Sequence, residues 1–217
     1  MDSGKGKVLF WGVKKAMNSE QIVPGISNGS SMKTSIAQVI FLYSLLVYDY
    51  ISSNRIQEVV MARSFIEAVK NRRSIYALGR RDAVTQGEVE KAVHESILHV
   101  PSAFNSQSAR IVVLWGKQSD SFWKAVGDVL KKIVPAESFG QTEAKLQSFA
   151  AGLGTILFFE DQEVVESLMT SYPLYQDNFP VWSLQSSGML QFAVWTMLED
   201  LGLGASLQHY NPLVDDF

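Results

Sequence analysis

The hydrophobic positions from residue 62 onward fall into patterns that predict six helices and two strands. The runs RIVVLWG (110–116) and GTILFFED (154–161) are almost continuously apolar, as in strands that are covered on both faces. Helical spacing of apolar residues occurs at 64–78, 88–98, 121–134, 143–154, 161–172 and 183–204. Helices that outnumber strands around one central sheet predict an α+β or an α/β protein, and the pattern leaves both open.

Two of these helices carry further signals. Ser64 is suited to be the N-cap of the first one, and Glu67 three residues later completes a capping box. The last one, 183–204, has small or apolar residues on nearly every side. Such a helix suits the centre of a dimer better than the surface of a monomer.

The first sixty residues have a different pattern. Residues 1–31 have weak periodicity and a Gly/Ser/Asn-rich end, which predicts irregular chain. Residues 35–48 are apolar, but this run of about 14 is shorter than the roughly 20 residues that span a membrane. Three interpretations stay open: a start codon assigned upstream of the true start at Met61, an additional docked helix, and a membrane anchor. We therefore predict an extension over 1–60, irregular with a short apolar helix, and one domain over 62–217.

Composition narrows the chemistry that is available. The chain has 217 residues and a net charge of -3, which argues against a nucleic-acid-binding protein. It has no cysteine, which excludes disulfides and thiolate chemistry and fits a reducing compartment such as the cytoplasm. Its three histidines form no His-x-x-x-His pair, so a catalytic metal is not expected. Chemistry must then come from backbone, hydroxyl, amide and guanidinium groups or from an organic cofactor. No nucleic-acid partner is expected, and a membrane is the less favoured partner.

Basic residues are concentrated at the end of the first predicted helix. The segment KNRRSIYALGRR contains Arg72, Arg73 and Ser74 in a row. A guanidinium group can hold a phosphate through two hydrogen bonds, and a serine hydroxyl adds another donor. Solvated arginines near a helix C-terminus are the alternative interpretation.

A polar but nearly uncharged segment, HVPSAFNSQSAR (99–110), lies between a predicted helix and a buried strand. Ser102, Asn105, Ser106 and Gln107 offer neutral donors and acceptors after Pro101. Such groups suit a neutral polar ligand. A loop that satisfies its own backbone through Asx and Ser turns is the alternative.

Three motifs together resemble a known family. They are the Arg-Arg-Ser sequence after a helix, PSAFNSQSAR before a buried strand, and a long helix that ends in LGLGASLQHYNP. In this order they resemble the FMN-dependent nitroreductases, and the ASLQHYNP form resembles most the fatty-acid-repression-type subgroup of yeast and bacteria. The resemblance covers 62–217.

The resemblance implies a fold, a cofactor and an activity. The fold would be α+β, with a central, mainly antiparallel sheet flanked by helices in an interlocked homodimer. FMN would bind at the subunit interface, and NADH or NADPH would reduce it for ping-pong transfer of hydride to a nitroaromatic, a quinone or a related small electron acceptor. Family members continue beyond the position of Phe217 into a segment that embraces the partner. A truncated or non-enzymatic flavin-binding member that acts as an interaction protein is therefore the alternative.

The resemblance also implies cofactor-binding residues, position by position. Arg72 and Ser74 would hold the FMN phosphate and ribityl chain with Arg73 beside them, and Tyr76 falls where some relatives have a lysine. The flavin of the other subunit would be lined by Pro101, Ser102, Ala103 and Asn105, with Gln107 supporting their loop. The isoalloxazine ring would lie alongside Leu207, Gln208 and His209.

The family pattern implies no catalytic side chain. A backbone N–H near His209 would approach flavin N5, where a donor stabilises the reduced flavin. The His209 imidazole could instead donate a proton to the substrate. Trp182 is expected either in an apolar contact or over the flavin face.

Overall fold

The computed structural model describes residues 8–12, 43–44, 46–47, 64–80 and 84–214. Its helices are α1 (Phe65–Asn71), α2 (Gln86–His99), α3 (Lys117–Leu130), α4 (Ala136–Ala150), α5 (Gln162–Ser171) and α6 (Phe179–Asp200). Its strands are β1 (Val8–Gly12), β2 (Tyr43–Ser44), β3 (Leu46–Val47), β4 (Ala109–Trp115), β5 (Gly154–Glu160) and β6 (Leu203–Gly204). All six helices and both strands predicted from residue 62 onward are present, with shifted ends.

The central sheet is antiparallel. Its strand order is β1-β4-β5-β2, and β3 pairs separately with β6. In the β4–β5 pair, Val113 lies opposite Ile156 and Ala109 lies opposite Glu160. With helices packed around this sheet, the α+β alternative is confirmed.

Side chains of β4 alternate between two buried layers. Ile111, Val113 and Trp115 pack in a cluster with residues of α2 and α6, whereas Val112 and Leu114 pack in a second cluster with residues of α3 and α4. Both faces of the strand are therefore covered, as its continuous apolar sequence predicted.

The helix ends follow local chemistry. The Ser64–Glu67 capping box is present. Thr85 and Glu88 form a second capping box, so α2 begins at Gln86, before the predicted start. The last helix also begins early, at Phe179, because Pro180 is accommodated in a first turn.

Within the first sixty residues, two expectations are wrong where the structure describes the chain. Val8–Gly12, predicted to be irregular, pairs along β4, and the apolar run predicted to be helical contains the short strands β2 and β3. The edges of β4 and β5 offer unpaired backbone groups, and short apolar segments can pair with them whatever their own periodicity. Other expectations for 1–63 lie outside the described residues.

Several apolar side chains of α6 remain exposed. Val181, Leu184, Met189 and Phe192 face solvent, while the opposite side of the helix is buried with Leu190 and other residues in the core. An exposed apolar stripe on a long helix is the surface that association would cover. In the described part of the chain, no helix has the length and apolarity needed to cross a membrane.

Candidate functional site

The arginine turn (residues 72–74) lies beside the segment that follows α6. Ser74 forms a parallel bridge with Ala205, and the Ile75 N–H donates to the Ala205 carbonyl at 3.0 Å. Gly204 permits this approach, because a Cβ there would lie 3.0 Å from Cγ1 of Ile75. Two of the motifs singled out in the sequence are therefore adjacent in space.

Arg72 is held by stacking. Its guanidinium carbon lies 4.0 Å from the ring centroid of Trp195 and 5.9 Å from that of Phe192, both on α6. Its buried Nε has no hydrogen-bond partner among the described residues. A buried donor without an acceptor is costly, so this geometry suits an anionic ligand that accepts from it.

The other residues of this turn are exposed. Arg73 donates to the Arg72 carbonyl at 2.7 Å, and the side chains of Ser74 and Tyr76 face solvent. Arg80, by contrast, is bound to Asp120 and to the carbonyls at the end of α4. Arg80 is therefore held by contacts within the protein, whereas Arg73 and Ser74 of the arginine turn are exposed to solvent.

The polar loop (residues 101–107) has an unusual backbone. Phe104, Asn105 and Gln107 have φ angles of 54°, 50° and 51°. Asparagine tolerates this left-handed region, but for Phe104 and Gln107 it costs on the order of 1–3 kcal/mol each. A loop that keeps such a conformation must be held by its surroundings.

An aromatic cluster holds one side of this loop. The ring of Phe104 stacks on Trp182 at 5.7 Å with 14° between their planes, and it meets Phe179 edge-on at 5.2 Å. Tyr172 and Tyr175 complete the cluster. Such ring pairs contribute about 0.5–1.5 kcal/mol each and offset the backbone strain. Within this chain Trp182 therefore contacts Phe104.

Hydrogen bonds hold the backbone of the loop. The Gln107 N–H donates to Ser102 Oγ at 3.0 Å, and the Ala103 N–H donates to Ser186 Oγ on α6 at 3.3 Å. Arg110 donates to the Gln107 carbonyl at 2.9 Å. The self-satisfying interpretation is thus correct for the Ser102 hydroxyl, while Pro101 and Asn105 are exposed.

A buried carboxyl group that the sequence interpretation missed lies behind the loop. Oε2 of Glu160 accepts from Ser108 at 2.6 Å and from Ser183 at 2.7 Å, and a cavity of about 60 Å³ adjoins it. Burial, opposed by these hydrogen bonds and by Arg110, raises the pKa of Glu160 above 4.5. The signal in the sequence was a glutamate at the end of an otherwise apolar strand.

The third predicted segment follows β6. Leu207 packs against the core, Gln208 is buried and donates to Ser206 Oγ at 3.3 Å, and His209 is exposed. This segment adjoins the arginine turn through Ala205.

Within one chain, the arginine turn and the polar loop contact different parts of α6. Arg72 stacks on Trp195, whereas Ala103 binds Ser186, roughly 14 Å away at 1.5 Å of rise per residue. Nothing in the described ranges groups three or more His, Asp or Glu side chains as a metal site.

Fold and motif order are those of nitroreductase-type oxidoreductases. The model of the nitroreductase family matches residues 69–216. Nitroreductase FRM2 of Saccharomyces cerevisiae is 34% identical over 155 residues, which cover 70% of this chain and 76% of FRM2. The chain belongs to the nitroreductase family and has its fold.

Solved structures agree. Nitroreductase CinD from Lactococcus lactis in complex with 4-nitrophenol is 49% identical, with a TM-score of 0.63, and its complex with chloramphenicol is 48% identical, also with 0.63. Both matches cover 70% of this chain and 77% of CinD. A nitroreductase from Saccharomyces cerevisiae is 34% identical with a TM-score of 0.60, covering 70% and 83% of the two chains. These relatives support the yeast and bacterial subgroup.

Proposed function

We propose that this protein is an FMN-dependent oxidoreductase that uses NADH or NADPH to reduce nitroaromatic compounds, quinones or related acceptors in a ping-pong cycle. Its membership of the nitroreductase family supports an oxidoreductase that acts on nitro compounds. The observation that carries the cofactor assignment is the buried, unpartnered Nε of Arg72 in the arginine turn.

The residues present fit a flavin phosphate. Arg72 is fixed on Trp195 with an unused donor, and Arg73 and Ser74 are exposed beside it. Guanidinium and hydroxyl groups at one turn bind phosphate through charge-assisted hydrogen bonds. In this proposal these residues, with Tyr76, hold the phosphate end of FMN.

The remaining contacts come from two neutral segments. Leu207, Gln208 and His209 follow Ala205, which is joined to the arginine turn, and they would pass the isoalloxazine of the same subunit. A backbone N–H near His209 would support the reduced flavin. FMN supplies the hydride chemistry when bound, and the protein supplies binding and orientation.

A homodimer explains how the polar loop joins this site. Along α6 the loop is roughly 14 Å from the arginine turn of its own chain, and α6 exposes an apolar stripe. We propose that the partner's loop, through its Pro101, Ser102, Ala103 and Asn105 with Gln107 in support, lines the flavin. Its lack of charge would suit a neutral ring system.

The acceptor assignment is supported by relatives. CinD holds 4-nitrophenol and chloramphenicol, both nitroaromatic compounds. The exposed rings of the aromatic cluster (Phe104, Tyr172 and Tyr175) and the uncharged polar loop offer flat and neutral surfaces for such molecules. We place the reaction in the cytoplasm, a prediction that rests on the lack of cysteine.

Flavin titration and turnover test the proposal together. The purified chain should bind FMN, develop the flavin absorption spectrum, and oxidise NADH or NADPH when 4-nitrophenol or a quinone is added. Bound FMN without turnover would favour the non-enzymatic flavin-binding alternative. Failure to bind FMN at saturating concentration would refute the cofactor assignment.

A further inference from the structure

The carboxyl group of Glu160 is buried where the polar loop, β5 and α6 meet. The residue is 6% exposed. Its Oε2 accepts hydrogen bonds from Ser108 at 2.6 Å and from Ser183 at 2.7 Å, whereas its buried Oε1 has no partner among the described residues. The nearby Ser187 hydroxyl on α6 also favours the carboxylate, although no described residue forms a hydrogen bond to Oε1.

Glu160 connects the end of the polar loop to α6. At the start of the loop, the Ala103 N–H donates directly to Ser186 Oγ. Just after the loop, Ser108 reaches Ser183 only through the shared carboxyl oxygen. The two serines of α6 are three residues apart and lie on one face of the helix. The loop is therefore attached to this face at both ends, and Glu160 makes the second attachment.

A cavity of about 60 Å³ lies between Glu160 and the polar loop. Its wall includes Glu160 together with Ser102, Asn105 and Gln107 of the polar loop. A polar cavity of this size has room for ordered water. A proton on Oε1 would make this atom a donor to such water, whereas a charge there would be buried without a cation in contact.

We propose that Glu160 is the positioning residue of the polar loop: its carboxyl group fixes the end of the loop to α6, and loss of its proton places a charge at this buried position and thereby favours the open loop over the attached one. Only the consequence for flavin rests on the proposed function. The effect on the loop itself does not.

The charged groups near Glu160 do not overcome its burial. Arg110 on β4 attracts a carboxylate at this position, but its guanidinium group is paired with Asp161 at 2.8 Å and donates to the Gln107 carbonyl. The other described walls are uncharged: α2 contributes Ile97 and Leu98, Val100 follows that helix, and α6 contributes serine hydroxyls. Burial is the largest effect, so the pKa of Glu160 in the folded protein lies above 4.5.

The attachment of the polar loop is expected to weaken as pH rises. With the folded-state pKa raised, the attachment is fully present below the usual pKa of 4.5 and is lost as pH rises through the folded-state pKa. Between these two pKa values, the ratio of the open loop to the attached loop rises by about tenfold per pH unit.

Hydrogen exchange measures this directly. Protection of the amides of residues 102–108 would be compared at pH 4 to 8 between the wild-type chain and Glu160→Gln, which stays neutral throughout. At each pH both proteins have the same intrinsic exchange rates in this segment. We expect the two proteins to be equally protected near pH 4. At higher pH the wild type should become progressively less protected than Glu160→Gln. A constant ratio over the whole range would overturn the proposal.

Two further variants separate positioning from folding. Glu160→Ala should lack protection of this segment at every pH, and wild-type protection in that variant would contradict the proposal. Should Glu160→Ala not fold, Ser183→Ala is decisive. It removes the α6 end of the attachment, so protection should already be lower than in the wild type near pH 4. The lost hydrogen bond also favoured the carboxylate, so the decline that remains must level off at a higher pH than in the wild type. A decline that levels off at the same pH as in the wild type would refute the assignment.

Riboflavin binding tests whether the attachment of the polar loop through Glu160 affects flavin affinity. Riboflavin is used because it lacks the titratable phosphate of FMN. Its affinity for the wild type should fall relative to Glu160→Gln over the same pH window. If the exchange result holds but neither riboflavin nor FMN binds, the positioning role stands and the proposed function fails. If the flavins bind while the exchange ratio stays constant, the proposed function stands and the positioning role is wrong.

Discussion

The guanidinium group of Arg72 lies 4.0 Å from the ring centroid of Trp195, and its buried Nε has no partner among the described residues. Stacking fixes the plane of the guanidinium while leaving donors available. The contact therefore joins a core residue of α6 to the arginine at the end of α1 that we propose binds the FMN phosphate.

Replacement of Arg72 by alanine should weaken FMN binding by roughly tenfold or more, because a hydrogen bond to a charged group contributes about 1.5–3 kcal/mol. Flavin titration measures the change. Arg80→Ala is the matched control: Arg80 is bound to Asp120 and to carbonyls at the end of α4, so its loss should lower stability and leave FMN affinity nearly unchanged. Equal losses of affinity in both variants would contradict the assignment.

Gln107→Gly should stabilise the apo-protein by up to about 1 kcal/mol. The φ of Gln107 is 51°, where a residue with Cβ is strained by roughly 1–3 kcal/mol, and the flexibility of glycine offsets part of the gain. Ser106→Gly is the control in the same loop, since its φ is -62° and glycine should be destabilising there. Urea unfolding of the three proteins measures both signs. Destabilisation by Gln107→Gly would show that its side chain contributes more than its strain costs.

Gly204→Ala should destabilise the protein by about 1–3 kcal/mol and reduce FMN affinity, because the new methyl group would lie 3.0 Å from Cγ1 of Ile75 and press the arginine turn away from Ala205. In contrast, Gly140→Ala adds a methyl group on α4 with no atom within 4 Å and should stabilise by roughly 0.5–1 kcal/mol. Thermal unfolding and flavin titration test the pair. Unchanged values for Gly204→Ala would mean that this close approach has no role.

The stability of the wild type should fall relative to that of Glu160→Gln as pH rises above 4.5. The folded-state pKa of Glu160 is raised by burial, so the folded protein binds the proton more tightly than the unfolded chain does. Within the window between the two pKa values, the difference should change by about 1.4 kcal/mol per pH unit. Urea unfolding of both proteins from pH 4 to 8 measures it. Parallel pH profiles would show that Glu160 does not titrate in this range.

A chain that begins at Met61 should fold and keep its FMN affinity. The two described core clusters are made of residues beyond 83, as are the polar loop and its contacts. Loss of β1 removes its backbone pairing along β4, so stability should fall and the exposed edge should favour association. Circular dichroism, flavin titration and sedimentation velocity on the two chains test this. Loss of folding or of FMN binding on removal of 1–60 would show that the extension is part of the domain.

Local signals predicted much of this molecule. Ser64 and Glu67 form their capping box because both partners lie within one helical turn, and β4 is buried on both faces because its apolar side chains alternate between them. The arginine turn and the polar loop were also recognisable, since their polarity breaks the apolar pattern on either side.

Only the tertiary structure decided which of these segments meet. Ala205 lies 131 residues beyond Ser74 in sequence, yet the two residues form a β-bridge. Arg72 likewise stacks on Trp195, which belongs to another helix. The partners of Glu160 come from the end of the polar loop and from α6, so its burial could not be derived from β5 alone. The strands of the first sixty residues form at edges supplied by β4, β5 and β6. Periodicity and capping depend on neighbours within a few residues, whereas burial, pKa and edge pairing depend on groups that only folding brings together.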